Sequence, residues 1–353
     1  MHGRLRRAAC CAVGIALALG LVTLALAQDP ARDAWKSWEL KDPAPVPDGR
    51  VAKLDRLEEL ACTRCHAETV EEWAATAHGL SWVDPIYQEE VADRRRPESC
   101  WGCHIPKPLH AQGLGERPDP REEDRHFGVS CDACHLGPTG EQLGPWGAPT
   151  SAHRSQRSET MLGAGTNRLC ISCHNVNVGP VIGIAKDFVA ADLEAQGKSC
   201  VGCHMAAVER RWASEGAPPA DGASTGEVQV RAGRSHALQT PRDPAFLRRA
   251  FEPSFSVEGA KSVVLIANRA GHRVPGLIGR SIEFKAELLD AGGKTVGQGA
   301  LTIDTRSYLP VEDRVRIEIQ GTGAAVRLIG LHHDPRLETP VQFMDQRLEP
   351  GQK

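Results

Sequence analysis

Hydrophobic and polar positions divide this 353-residue chain into three parts. Residues 8–27 form an apolar run uninterrupted by charge. From about residue 254 the segments 261–267, 282–289, 295–302, 315–319 and 324–331 alternate or run apolar, with Val and Ile prominent. Turn signals such as Glu258-Gly259 and Asp290-Ala291-Gly292-Gly293 separate them. Five or six short strands at this spacing predict a small all-β, sandwich-like domain over 254–334, followed by a C-terminal tail at 335–353. The stretch between shows little periodicity. Residues 51–60 predict a short helix, and 67–77 a second one with Val70, Trp73 or Ala74, and Ala77 on one face. Residues 213–226 (ASEGAPPADGASTG) have linker composition.

The apolar run follows Arg4, Arg6 and Arg7 and ends in Ala25-Leu26-Ala27. That is the layout of an export signal at 1–27 with a small-residue cleavage site. The alternative is an uncleaved membrane anchor, since about 20 apolar residues just span a bilayer. An N-terminal extension with Pro43, Pro45 and Pro47 occupies 28–61. Cleavage would leave 39 basic against 45 acidic residues. Such a mildly acidic chain argues against nucleic-acid binding and favours partners with basic docking patches.

The aperiodic middle carries the chemistry. Ten of twelve cysteines fall in five Cys-x-x-Cys-His motifs: Cys62/Cys65/His66, Cys100/Cys103/His104, Cys131/Cys134/His135, Cys170/Cys173/His174 and Cys200/Cys203/His204. This is the attachment pattern of c-type haem, in which two thiols bond the porphyrin and the histidine ligates iron. Five covalently bound haem c groups are therefore expected over 62–240. A disulfide framework leaves the regular pair-plus-His spacing unexplained, and a zinc ribbon leaves the five adjacent histidines unexplained. Only 5% of the chain is aromatic, too little for an ordinary core of this size, so this block is expected to be organised around cofactor. The fold class is thus multidomain α + β: a mainly helical and loop multihaem domain, then the β-domain.

First cysteines are spaced 38, 31, 39 and 30 residues apart, an alternation that hints at a duplicated two-haem unit. With five motifs inside 62–204, about 29 residues per haem, neighbouring rings must lie close. Close rings predict a wire for electrons rather than isolated centres.

Each iron needs a sixth ligand or an open face. Eight histidines lie outside motifs and signal: His78, His110, His126, His153, His236, His272, His332 and His333. Methionine is scarce, with Met161 and Met205 alone in the haem block, so bis-histidine ligation is expected. His78 ends the 67–77 helix about 18 Å from His66 along its axis, too far to share one ring, so it should reach another haem. His153 follows a Gly/Pro-rich loop able to wrap a ring edge. His236 lies just past the last motif, and His272 at a loop tip of the β-domain. His126 and His110 compete for the fifth iron. His332 and His333 are expected to be solvated. Arg64, Lys107, Lys198, Arg210 and Arg211 are either propionate partners or ordinary surface charges, and Trp101 and Trp146 either ring packing or core filling.

These residues resemble the multihaem c-type cytochrome family that includes the tetrahaem electron acceptor of hydroxylamine oxidoreductase. The resemblance rests on 62–78 (CTRCHAETVEEWAATAH), on 128–135 (GVSCDACH) followed by Gly137-Pro138, on 200–205 (CVGCHM), and on the turn Gly271-His272-Arg273-Val274-Pro275. It spans roughly 55–275. It implies stacked, bis-histidine haem pairs, an electron-transfer role, and distal ligation by His78, His153 and His272. The chain departs in its fifth motif and in Gly276, where the family usually has Thr.

Two functions compete. One is an exported electron carrier in the bacterial periplasm, at an outer membrane face or beyond. It would work between a quinol-linked donor and a terminal reductase or extracellular acceptor, and would touch the membrane itself only through an uncleaved signal. The other is an oxidoreductase whose open haem reduces a small nitrogen or sulfur oxide. No Cys-x-x-Cys-Lys motif of the kind that marks many nitrite-reducing haems occurs, and spare histidines are plentiful, so the carrier reading is the stronger.

Overall fold

In the computed structural model the described residues are 54, 56–147, 150–177, 183–213, 230–277 and 279–351. The signal segment, most of the N-terminal extension and most of the 213–226 linker lie outside them. Among the described residues no helix is long and apolar enough to cross a membrane.

The layout is α + β. The first part is a succession of short helices: α1 (Thr63–Ala74), α2 (Pro85–Ala92), α3 (Glu98–His104), α4 (Leu109–Gln112), α5 (Cys131–His135), α6 (Asn167–His174), α7 (Ile184–Ala190), α8 (Cys200–His204) and α9 (Pro244–Arg248). Local chemistry starts several of them. Asp84 accepts the backbone N–H of Tyr87 ahead of Pro85, and Asp243 caps α9 in the same way ahead of Pro244. Val70, Trp73 and Ala74 of α1 form a small core with Leu54, Leu80 and Phe127. The predicted 67–77 helix ends earlier than its pattern, at Ala74, because the Thr76 hydroxyl donates to the Trp73 carbonyl (2.7 Å). Ala77 is therefore exposed. Two small sheets accompany the helices: parallel β1 (Gln142–Gly144) with β2 (Ser155–Arg157), and antiparallel β3 (Ala207–Arg211) with β4 (Val230–Arg234). The second pair flanks the expected linker.

The remaining strands are β5 (Phe251–Glu258), β6 (Lys261–Asn268), β7 (Ser281–Leu289), β8 (Thr295–Asp304), β9 (Arg314–Gln320), β10 (Ala325–His333) and β11 (Val341–Leu348). They make two antiparallel sheets, ordered β11-β10-β7-β8 and β5-β6-β9. Side chains from both, among them Phe255, Val264 and Ile317 on one and Phe284, Leu328 and Phe343 on the other, share one buried core. Burying each such side chain contributes about 1.5–3 kcal/mol. The sheets reach past the expected boundaries at both ends. Phe251 already opens β5, and 341–348, expected as tail, pairs along β10 as a strand. His332 corrects another expectation. β10 continues through it, so it shares the inward face of Leu328 and is 1% exposed, whereas His333 points outward toward Glu283. The described residues belong to one compact unit, in which the Arg273–Asp187 and Arg336–Asp84 ion pairs join the β-domain to the helical block.

Candidate haem centres

Each Cys-x-x-Cys-His motif forms about one helical turn. A spacing of three places both thiols on one face, and the histidine follows directly. His104, His135, His174 and His204 are the last residues of α3, α5, α6 and α8. His66 instead breaks the helical geometry of α1, with φ −117° and ψ 36°. All ten motif cysteines are free of disulfides.

Four motif histidines face a histidine from elsewhere in the chain. Ring centres are 6.3 Å apart for His66 and His153, 6.2 Å for His174 and His78, 6.0 Å for His135 and His236, and 6.2 Å for His204 and His272. An imidazole nitrogen sits about 2.0 Å from a bound metal and its ring centre about 1.1 Å further, so two imidazoles on opposite faces of one iron place their centres about 6.2 Å apart. The observed spacing fits an iron between each pair. It is too long for direct ring stacking.

Hydrogen bonds orient the rings. The Nδ1–H of His66 donates to the Trp212 carbonyl, that of His135 to Leu143 (2.8 Å), that of His204 to Gln239 (2.9 Å) and that of His272 to Arg273 (2.8 Å). A carbonyl can only accept, so the proton is fixed on Nδ1 and the Nε2 lone pair is left for a metal. Burial lowers the basicity of His78, His135, His153, His174, His236 and His272, taking His174 and His236 to about 4. For those two the facing imidazole adds to the effect. The neutral ring, which is the ligating form, therefore prevails at neutral pH.

His104 has no such partner among the described residues. Its Nδ1–H donates to Ser81 (2.6 Å), and the Tyr87 ring stacks on it at 3.8 Å. His126, expected to compete for this fifth position, is not opposite any motif histidine. It sits in the Arg125–Phe127 turn, 4.0 Å from the ring of buried Phe127, with Nε2 3.8 Å from Glu59. His110 is also otherwise engaged, its Nε2–H donating to the Cys134 carbonyl (3.1 Å). Sequence reasoning missed Tyr87. Its one available signal was rarity, as one of two tyrosines in the chain.

Several buried donors have no protein acceptor, among them Trp101 Nε1, Tyr87 Oη, Arg210 Nε and Arg273 Nη1. Such donors fit the carboxylate edges of porphyrins. Most of Arg210 is already committed to Glu72 and Glu68, and Trp146 is 47% exposed. Among the described residues no three His, Cys, Asp or Glu side chains gather as a zinc ribbon requires.

Thiols of different motifs are neighbours. Cys62 lies close to Cys131, Cys103 to Cys173, and Cys170 to Cys200, and Cys134 lies close to both Cys170 and Cys173. The first motif thus adjoins the third, and the fourth adjoins the second, third and fifth.

Cys65 and Cys203 are expected to be the second attachment thiols of their motifs. Cys65 is half-buried at the point where α1 loses its helical geometry, one residue before His66. Cys203 is exposed, because the five residues of α8 include none that is buried.

Residues 61–136, which hold the first three motifs, match the family described as cytochrome c554 and c-prime. A similar solved structure is the penta-haem cytochrome c552 from Thermochromatium tepidum. It is 19% identical, with a TM-score of 0.53, over 85% of this chain and 99% of that one. At this identity the likeness is one of fold. No curated protein matches the chain. The motif chemistry, the family match and the shared fold together support a multihaem c-type cytochrome with covalently bound haem c.

Proposed function

We propose that the chain is an exported pentahaem electron carrier in which four irons are held between two histidines. The observation that carries this reading is the set of four histidine pairs at 6.0–6.3 Å, each joining one motif to a residue outside the motifs. Bound haem iron would supply the redox chemistry, a one-electron ferric/ferrous couple. Backbone carbonyls fix the neutral tautomer of His66, His135, His204 and His272, which would hold those ligands unchanged as the electron moves. The contacts between thiols give a path from the first motif to the third and fourth, branching there to the second and fifth. Export to the periplasm, an outer membrane face or beyond follows from the N-terminal segment and from the need to attach haem after export. Partners would be redox proteins, a quinol-linked donor or a terminal reductase, engaging an acidic surface. The relation to the electron acceptor of hydroxylamine oxidoreductase is part of this proposal.

The test is the holoprotein's pyridine-haemochrome count together with its EPR spectrum. Five haems per chain, four of them low-spin, are expected. A count of two or three, or a colourless product in a host with working cytochrome maturation, would overturn the reading.

One observation favours a second role. His104 has no imidazole across from it among the described residues, which suits an iron with one open face and a reductase acting on a small nitrogen or sulfur oxide. One high-spin haem that binds cyanide or nitrite reversibly is the expected signature. A fully low-spin spectrum rules this role out.

A further inference from the structure

His236 lacks the ring hydrogen bond that holds His153 to Ser155 and His272 to Arg273. Its Nδ1 is buried without a partner, so no ring hydrogen bond sets its direction. The anchor is in the backbone. Glu72, midway along the α1 region between His66 and His78, accepts the His236 backbone N–H at 2.7 Å. The same carboxylate receives both arms of Arg210, Nη1 at 2.7 Å and Nη2 at 2.9 Å, in a pair whose side chains are 12% and 22% exposed. Arg210 lies over the Trp212 ring, 4.6 Å from its centre. The carbonyl of Trp212 takes the Nδ1–H of His66, and its ring meets His236 edge-on at 6.4 Å. One carboxylate is therefore linked to a histidine of the first centre and to one of the third, whose Cys62 and Cys131 thiols are neighbours.

We propose that Glu72 is a positioning residue that holds His236 opposite His135 and, through Arg210 and Trp212, couples the redox properties of the first and third haems. The proposal rests on the ligation given above for His236. A bidentate Arg–carboxylate pair is geometrically specific, and a backbone N–H bonded to a charged oxygen is among the stronger hydrogen bonds, so the clamp restrains the chain where the ring cannot restrain itself. Its negative charge also favours the ferric form of both neighbours.

The test compares holoprotein carrying E72A, E72Q and H236A by EPR and by potentiometric titration. H236A should turn one haem's worth of low-spin signal high-spin. E72A should do the same at that one haem, with added imidazole restoring the low-spin signal. E72Q retains an acceptor for the His236 N–H, so it should stay low-spin while the midpoint potentials of two haems rise and the other three stay in place. If H236A converts a haem and E72A leaves every haem low-spin, Glu72 does not position the ligand and the proposal is overturned. Loss of low-spin signal across all haems in E72A, or E72Q potentials that do not move, also overturns it. No conversion in H236A sinks the ligand assignment itself.

Discussion

Tyr87 lies flat against His104, with ring centres 3.8 Å apart and planes 13° from parallel. Two rings this close cannot hold an iron between them, so Tyr87 braces the imidazole from the side instead of opposing it. Burial pushes the phenol's pKa up, the neighbouring Cys100 and Cys103 thiols add to this, and the hydroxyl has no protein partner. Stacking is then the part of Tyr87 that matters. Tyr87→Phe should leave stability within about 1 kcal/mol of wild type or raise it, whereas Tyr87→Ala should cost about 3 kcal/mol by opening a cavity. Thermal melts of the two holoproteins check this. A clear loss in Tyr87→Phe would mean that the phenol finds an acceptor on the cofactor.

The β-domain delivers His272 by a related device. Arg273, the next residue, donates from its backbone N (3.0 Å), Nε (2.6 Å) and Nη2 (2.5 Å) to Asp187 on α7, and its guanidinium lies 4.2 Å from the Tyr308 ring centre. Burial alone would push the Asp187 carboxyl up, but the hydrogen bonds from Arg273 outweigh it and hold the group below its ordinary range. Breaking such a pair from one side leaves a poorly solvated charge and costs about 3 kcal/mol. Asp187→Ala should therefore loosen the docking of the 271–275 turn and convert one haem from low- to high-spin, as seen by EPR. An unchanged low-spin count would show that the β-sheets alone place His272.

The legible parts of this chain are those whose chemistry is local. Cys-x-x-Cys-His is complete within five residues, and the alternation of Ile282, Phe284, Ala286 and Leu288 declares the buried face of β7. His78, His153, His236 and His272 stood out because each sits near the end of an element or loop. The fifth centre was not legible in this way. His126 is close to a motif in sequence, but Phe127 turns inward and carries it away. The clamps were invisible for a related reason. Glu72 and Arg210 are 138 residues apart, and either alone reads as a surface charge. β11 was missed because Phe343, Met344 and Leu348 do not alternate, a consequence of the register shift between Gly330 and Leu331 in its partner strand.

The β-domain core gives a prediction independent of haem. Phe284 is fully buried, with Phe251 5.1 Å and Phe343 5.9 Å away, both near edge-on. Phe284→Ala removes that packing from both neighbours at once and should destabilise the domain by about 3–5 kcal/mol. The denaturant midpoint followed by far-UV circular dichroism measures it, while the haem count should stay the same. A loss under about 1 kcal/mol would mean that the sheets close over the gap.

His332 should set part of the acid sensitivity of the same domain. It is 1% exposed, and neither ring nitrogen has a hydrogen-bond partner. Burial, helped by the nearby Arg280 guanidinium, lowers its pKa from 6.5 to about 4. The unfolded chain then binds a proton that the folded one refuses. The stability from a neutral His332 is complete above about pH 6.5, declines as pH falls through the window between about 6.5 and 4, and is lost below it. The full swing is about 3 kcal/mol. His332→Leu fills similar space without a titrating group, so its unfolding free energy should fall less steeply across that window while staying equal to or above that of wild type at pH 7. Parallel acid limbs for the two proteins would mean that the imidazole is solvated in solution and contributes nothing to the pH dependence.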